Sequence, residues 1–192
     1  MKIYKFISIV LICASPMVLM GQAKPENTDM TIMLDLSRPG EMHEILSQLI
    51  GTWRFQDKKL AFVKGTLTRN SIYNDRFFNV EITGGKLQLP IRSGMKEDNY
   101  HSFQLEGYDN VKKQFITISI NNHIGSDIQE QTGNYDAAKK QLSYEWESSI
   151  LPDKKMRNRR IITFVDGNHY IEEYFEFNKG TFEKVRELDY IK

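Results

Sequence analysis

From Gly51 to the C-terminus the chain is a succession of short segments whose side chains alternate in character, each closed by a cluster of turn-forming residues. Leu142, Tyr144 and Trp146 face opposite to Ser143, Glu145 and Glu147, and Ile116, Ile118 and Ile120 oppose Phe115, Thr117 and Ser119. A period of two is the period of a β-strand, whose successive side chains point to opposite faces. Segments of this kind run Trp53 to Gln56, Leu60 to Arg69, Arg76 to Thr83, Lys86 to Pro90, Tyr100 to Gly107 and Gln114 to Asn121. They continue over Ser126 to Thr132, Gln141 to Ser148, Asn158 to Val165, His169 to Phe177 and Thr181 to Tyr190. Gly84-Gly85, Asp109-Asn110, Asp136-Ala137, Asp166-Gly167-Asn168 and Asn178-Lys179-Gly180 are hairpin-type punctuation and predict antiparallel neighbours. With about ten strands and almost no helix to cover an edge, closure into a barrel disposes of both the apolar face and the open edges. A two-sheet sandwich is the architectural alternative.

Helical spacing occurs once. After Pro39-Gly40, the stretch Glu41 to Ile50 places Met42, Ile45, Leu46 and Leu49 on one stripe, and Gly51 ends it. Upstream, 24–38 reads as a polar leader with scattered Met30, Ile32, Met33 and Leu34, able to dock in part on a domain covering 39–192. The first 23 residues have the order basic, apolar, small: Lys2 and Lys5, then Ile7 to Met20, then Gly21-Gln22-Ala23. The apolar run is too short to span a bilayer and predicts a signal peptide cleaved after Ala23. The expected location is therefore periplasmic or secreted. The only cysteine, Cys13, lies inside that run without the small residue expected before a lipoprotein cysteine, so loss with the signal is expected over lipid anchoring. The mature chain then has no disulfide and no thiolate nucleophile.

The 26 basic and 25 acidic side chains nearly balance, and loss of Lys2 and Lys5 takes the formal charge from +1 to −1. No concentrated basic face or nucleic-acid motif is present, which argues against a nucleic-acid partner. A hydrophobic fraction of 40% suits one soluble domain with a real core. There is also an internal echo: Tyr108-Asp109-Asn110-Val111-Lys112-Lys113-Gln114-Phe115 recurs as Tyr135-Asp136-Ala137-Ala138-Lys139-Lys140-Gln141-Leu142. Asp153-Lys154-Lys155 suggests a third such corner. In each the aspartate is expected to cap turn amides while the lysines stay in water; a polyanion site on the lysines lacks a glycine-rich nest.

The ordered set Pro39-Gly40-Glu41-Met42-His43-Glu44-Ile45-Leu46, Leu49-Ile50-Gly51-Thr52-Trp53, Gly107 through Phe115, Gly133-Asn134-Tyr135-Asp136, Arg160 through Phe164 with Asp166, and Lys184 through Tyr190 resembles the secreted bacterial DUF1579 family. That family in turn resembles the calycin superfamily of lipocalin-like and fatty-acid-binding-protein-like barrels, where a short helix and a Gly-x-Trp element open the first strand. The resemblance implies an all-β antiparallel barrel with a short N-terminal helix, in which Gly51 and Trp53 open the first strand and Trp53 closes one end. It implies no settled activity. Phe77-Phe78 and Lys96-Glu97-Asp98-Asn99 stand near loops where many such chains are glycine-rich, so ligand class does not transfer.

The residues offer a binding surface more readily than a catalytic one. Tyr144 and Trp146 share a strand face, as do Tyr170, Glu172 and Tyr174, and Arg160 precedes Ile162 and Phe164 at even spacing. Aromatics provide apolar area while an arginine or a tyrosine hydroxyl holds a polar head group. Tyr144, Trp146, Arg160, Tyr174 and His101 are therefore the candidate ligand-binding residues. Gly51, Trp53, Arg186, Asp109 and Asp136 are the structural ones, with Arg186 expected over the Trp53 ring or, alternatively, on an anionic ligand. His43, His101, His123 and His169 show no metal-ligand spacing, although distant strands can bring His101 and His169 together with Glu173. No nucleophile elbow or phosphate loop occurs. The expectation is non-catalytic binding of a small apolar or amphipathic ligand in a barrel cavity, a lipid-like or aromatic molecule, without cofactor or metal. The alternatives are a filled barrel that associates with envelope proteins and, behind it, a hydrolase or isomerase assembled from distant strands; the sequence names no protein partner.

Overall fold

The computed structural model describes residues 28–192. The expected signal peptide, its cleavage point and Cys13 lie outside the described residues. Ten strands close into one antiparallel barrel in which each strand pairs with its sequence neighbour and β1 pairs with β10. They are β1 Gly51–Asp57, β2 Lys64–Ile72, β3 Phe77–Ile91, β4 Gly94–Asp109, β5 Gln114–Asn121, β6 Gln129–Asp136, β7 Gln141–Leu151, β8 Lys154–Asp166, β9 His169–Asn178 and β10 Thr181–Ile191. Closure pairs Arg54 with Ile191 and Asp57 with Leu188. Within the closed ring every strand has a neighbour on both sides, which is the reason a chain of hairpins with little helix is stable in this form.

The two expected strands at Arg76–Thr83 and Lys86–Pro90 are one. Gly84-Gly85 is not a hairpin turn but an irregularity inside β3, where the register with β4 shifts between Thr83 and Lys86. Gly84 pairs with Gly65 on β2. A Cβ on Gly65 would meet the Thr83 carbonyl at 2.1 Å and the Phe55 ring at 2.8 Å. The glycines serve close approach of two strands beneath an aromatic ring rather than chain reversal. The reversal comes later, at Arg92-Ser93 between the paired Ile91 and Gly94, so Lys96 to Asn99 are strand residues of a projecting arm and not a loop.

Two helices precede the barrel. Within the stretch read as a polar leader, Thr28–Leu36 forms α1, with no buried residue. The chain leaving it is tied to the β4–β5 turn, where the Asn110 Nδ2 amide donates to the carbonyls of Leu36 (2.8 Å) and Arg38 (3.0 Å). The helix α2, Glu41–Ser47, buries His43 and Leu46. Leu49, just beyond it, is also buried. This amphipathic stripe covers one end of the barrel.

The corner repeat has a common geometry. Asp109 Oδ1 accepts from the amides of Val111 and Lys112 (2.8 and 2.9 Å), and Asp136 Oδ1 from those of Ala138 and Lys139 (3.0 and 3.1 Å). Lys113 and Lys140 adopt left-handed backbone (φ 57° and 52°), and Phe115 and Leu142 then re-enter the core. At the third corner the left-handed residue is Asp153 itself (φ 60°).

The alternation on β4 and β5 runs opposite to a greasy interior. Ser102, Gln104 and Glu106 on β4, and Thr117 and Ser119 on β5, are buried and point inward. Phe103, Leu105 and Ile120 are exposed, and the pairs Phe103 with Ile120 and Leu105 with Ile118 lie side by side on the outer surface. The barrel has a polar layer inside and an apolar stripe outside over this wall.

Candidate functional site

Inward-facing positions build three layers along the barrel axis. At the helix-capped end, the Trp53 indole N–H donates to the Leu49 carbonyl at 2.9 Å, and Arg69 Nη1 reaches the same oxygen at 3.2 Å. The chain end supplies a cation over the Trp53 ring, with Lys192 Nζ at 4.6 Å from its centre. Arg186 is not there. The closure register sets Arg54 against Ile191, so Trp53 meets the last residue of the chain, while Arg186 lies further along β10 toward Asp57. From Trp53 an aromatic column climbs the wall: Tyr170 at 4.7 Å, Tyr190 stacked on Tyr170 at 4.4 Å, then Phe55 at 5.4 Å. Beside Trp53, between α2 and the β6–β7 and β8–β9 turns, lies a recess of about 450 Å³.

The middle layer is ionic. Arg69 makes a two-pronged contact with Glu106 (2.8 and 3.3 Å), and Arg160 Nη1 bonds Glu172 at 3.1 Å. Arg160 also approaches Glu106 at 3.9 Å, Gln104 and Thr117 at 3.5 Å, and lies over the Tyr144 ring at 4.6 Å. All four charged side chains are buried. Burial is the largest single influence and opposes the charge of both arginines, but the surrounding acidic and phenolic groups together, led by Glu106 for Arg69 and Glu172 for Arg160, outweigh it and raise both above the ordinary value. Burial pushes the Tyr144 and Tyr174 phenols well up, and the Tyr174 hydroxyl donates to Glu172 Oε2 at 3.1 Å. These groups hold one another. Arg160 Nε, Gln131 Oε1 and the Tyr144 and Tyr170 hydroxyls have no hydrogen-bond partner among the described residues.

Above the ionic layer the barrel opens into a cavity of about 490 Å³. Its floor includes Gln104, Tyr174 and Tyr190, and its walls include Phe55, Ile82, Tyr100 and Leu188. Leu60 and Phe62 from the β1–β2 loop and Ile124 from the β5–β6 loop stand exposed around the opening. Burial raises the Tyr100 phenol, offset in part by Ser102. A smaller recess of about 220 Å³ adjoins, lined by Trp146, Asn158 and Glu176 and sharing Tyr174 and Arg186 with the larger cavity.

The five ligand-binding candidates thus separate. Tyr174 and Trp146 line the cavities. Tyr144 and Arg160 belong to the ionic layer beneath and line neither of these two cavities. His101 is exposed on the outer surface, where its Nδ1 faces the Thr83 hydroxyl at 3.4 Å across a groove shared with Phe103 and Ile120. The reason is parity: even positions of β4 point inward from Ser102 to Glu106, so His101 points out. His169 sits on β9, opposite β4 in the closed strand order, and pairs with Asp189 at 3.1 Å, so the two histidines do not meet. Among the described residues no group of three or more His, Cys, Asp or Glu is placed to hold a metal ion. Gly51 opens β1 with positive φ (124°), where L side chains are rarely found.

Residues that matter here and that the sequence reading left out are Arg69 and Glu106, and in the cavity Phe55, Tyr100 and Gln104. The signal for Glu106 was available: it continues the even face of Ser102 and Gln104, opposite Phe103 and Leu105, and only the assumption that the apolar face turns inward hides it.

No helix among the described residues is long and apolar enough to cross a membrane. No curated protein matches the chain. A family model described as "Protein of unknown function (DUF1579)" matches residues 38–192, the whole barrel with its capping helix, and the chain therefore belongs to the DUF1579 family.

Proposed function

We propose that this chain is a periplasmic or secreted lipocalin-like protein that binds a small amphipathic molecule without covalent chemistry, in the cavity at the open end of the barrel. The supporting observation is that cavity: about 490 Å³, within the span of small-molecule sites, with aromatic and aliphatic walls and few polar groups on its floor. Exposed Phe62, Leu60 and Ile124 at the opening give the apolar part of a ligand a continuous path inward. The separated histidines and mutually paired buried charges favour binding over hydrolysis or isomerisation.

The outer stripe of Phe103, Leu105 and Ile120 favours a second reading, a protein-interaction module of the cell envelope. Native mass spectrometry of protein purified gently from its producing cells separates the two. A stoichiometric small mass, released on unfolding and lost when Ile82→Trp fills the cavity, is the expected result. A bare chain in a defined protein complex would instead support the interaction module.

A further inference from the structure

We infer that the cavity selects a ligand with an anionic head group, and that Arg186 receives that group where the two cavities meet. This rests on the binding role proposed above and adds the charge of the ligand. Lys64, Lys86, His123 and Arg186 line the larger cavity, and no aspartate or glutamate does. Lys86 has Glu97 at 3.7 Å, so Lys64 and Arg186 are the cations of this lining without a carboxylate inside that distance among the described residues, and a small anion entering between low-dielectric walls is drawn to them.

Arg186 stands at the junction of the two cavities, its side chain half exposed. Its carboxylate neighbour is Asp57, with Nε to Oδ2 at 3.9 Å, beyond hydrogen-bond reach. Asp57 is already engaged, since its Oδ1 accepts from the amides of Lys59 and Leu60 at 2.7 and 2.8 Å. The guanidinium of Arg186 is thus placed and charged but not neutralised by a close partner, unlike Arg69 and Arg160 below it. In the adjoining recess the Trp146 N–H is buried without an acceptor. The nearby Tyr174 hydroxyl already donates to Glu172. The indole N–H is sealed from the recess, so Arg186 is the group at the junction with hydrogen bonds to offer, and charge-assisted bonds to an anion use them. Glu176 is the acidic residue of the recess and gives a cationic head its one attraction there.

The test uses three amphiphiles with the same tail, all below their micelle concentrations: decanoate, decanol and decyltrimethylammonium. Titration of the purified chain by calorimetry and tryptophan fluorescence should show decanoate binding about ten-fold tighter than decanol, with the cation weakest. Arg186→Gln should bring decanoate to the level of decanol while the protein keeps its melting temperature. Trp146→Phe, which leaves Arg186 in place, should keep the preference for decanoate and remove most of the fluorescence response, leaving Trp53 silent. Equal binding of decanoate and decanol, or tightest binding of the cation, would overturn the anionic assignment and leave the cavity reading standing. Failure of all three to bind would overturn the cavity reading, and the assignment with it.

Discussion

The two ends of the barrel are made by the same ten strands and differ in how their polar groups are settled. At the helix-capped end the Leu49 carbonyl takes two donors, Trp53 and Arg69, and Arg69 is locked to Glu106. At the mouth Arg186 is half exposed and has a carboxylate only at 3.9 Å. Paired buried charges rigidify a structure, whereas an arginine without a close partner beside a cavity leaves an interaction for something that arrives later. Stability should therefore be concentrated at one end and recognition at the other.

The largest effect that would break this comparison comes from the ionic layer. Arg69→Ala leaves Glu106 buried without its partner and should cost about 3–5 kcal/mol in urea unfolding, while a double replacement, Arg69→Met with Glu106→Leu, should recover most of the loss. An Arg69→Ala protein as stable as the parent would show that the layer does not hold the barrel. Next, Leu46→Ala removes the buried anchor of α2 and should cost about 3 kcal/mol, read as a fall in Tm of roughly 6–12 °C. Loss of α2 contact without loss of barrel stability would make the helix an ornament of that end.

A pH series sharpens the comparison further. The His43 Nδ1 accepts the Gly40 amide at 3.1 Å, which needs an unprotonated nitrogen, and burial first, then Arg76, lowers its pKa below the ordinary 6.5. The unfolded chain therefore takes up a proton before the folded one does. The stability contributed by neutral His43 is complete above 6.5 and drains away as the pH falls below that value toward the lowered folded pKa. Tm should fall on acidification through this range, and His43→Gln should flatten that part of the profile. An unchanged slope in the variant would assign the pH response to other groups. The smallest effect belongs to the mouth: Arg186→Gln should change unfolding free energy by less than about 0.5 kcal/mol, because a half-exposed cation with one long contact contributes little. A large loss there would mean that Arg186 holds the fold.

Architecture was readable because strand period and hairpin chemistry are local. Asp109 and Asp136 announce their corners in a few residues, and Gly51-Thr52-Trp53 follows the helix stripe directly. What was misread depended on register between distant strands. Gly84-Gly85 looks like a turn until Gly65 is placed against it, and Arg186 looks like the partner of Trp53 until closure brings Lys192 there instead. The site suffered for a related reason. Arg160 has the chemistry of a ligand contact, but Glu172 and Thr117 arrive from other strands and absorb it, and Tyr144 lies beneath its guanidinium. The α1 segment went unread as a helix because it has no buried residue to impose a stripe.

The outward isoleucines of β5 bear on how the chain finds its pairing during folding. A slip of one residue would turn Ile116, Ile118 and Ile120 into the lumen and expel Phe115, Thr117 and Ser119. Judged by transfer from water alone, the slipped strand exchanges one phenylalanine and two hydroxyl residues for three isoleucines, a gain rather than a loss. The frame must then be chosen by something other than oiliness. The Asp109 corner immediately before β5 is placed to do this, since its two amide contacts and the left-handed Lys113 allow one alignment of β4 against β5. Chain reversal would be committed while the lumen is still wet, and the misaligned competitor, greasier inside, would be avoided by the order of events as much as by its energy.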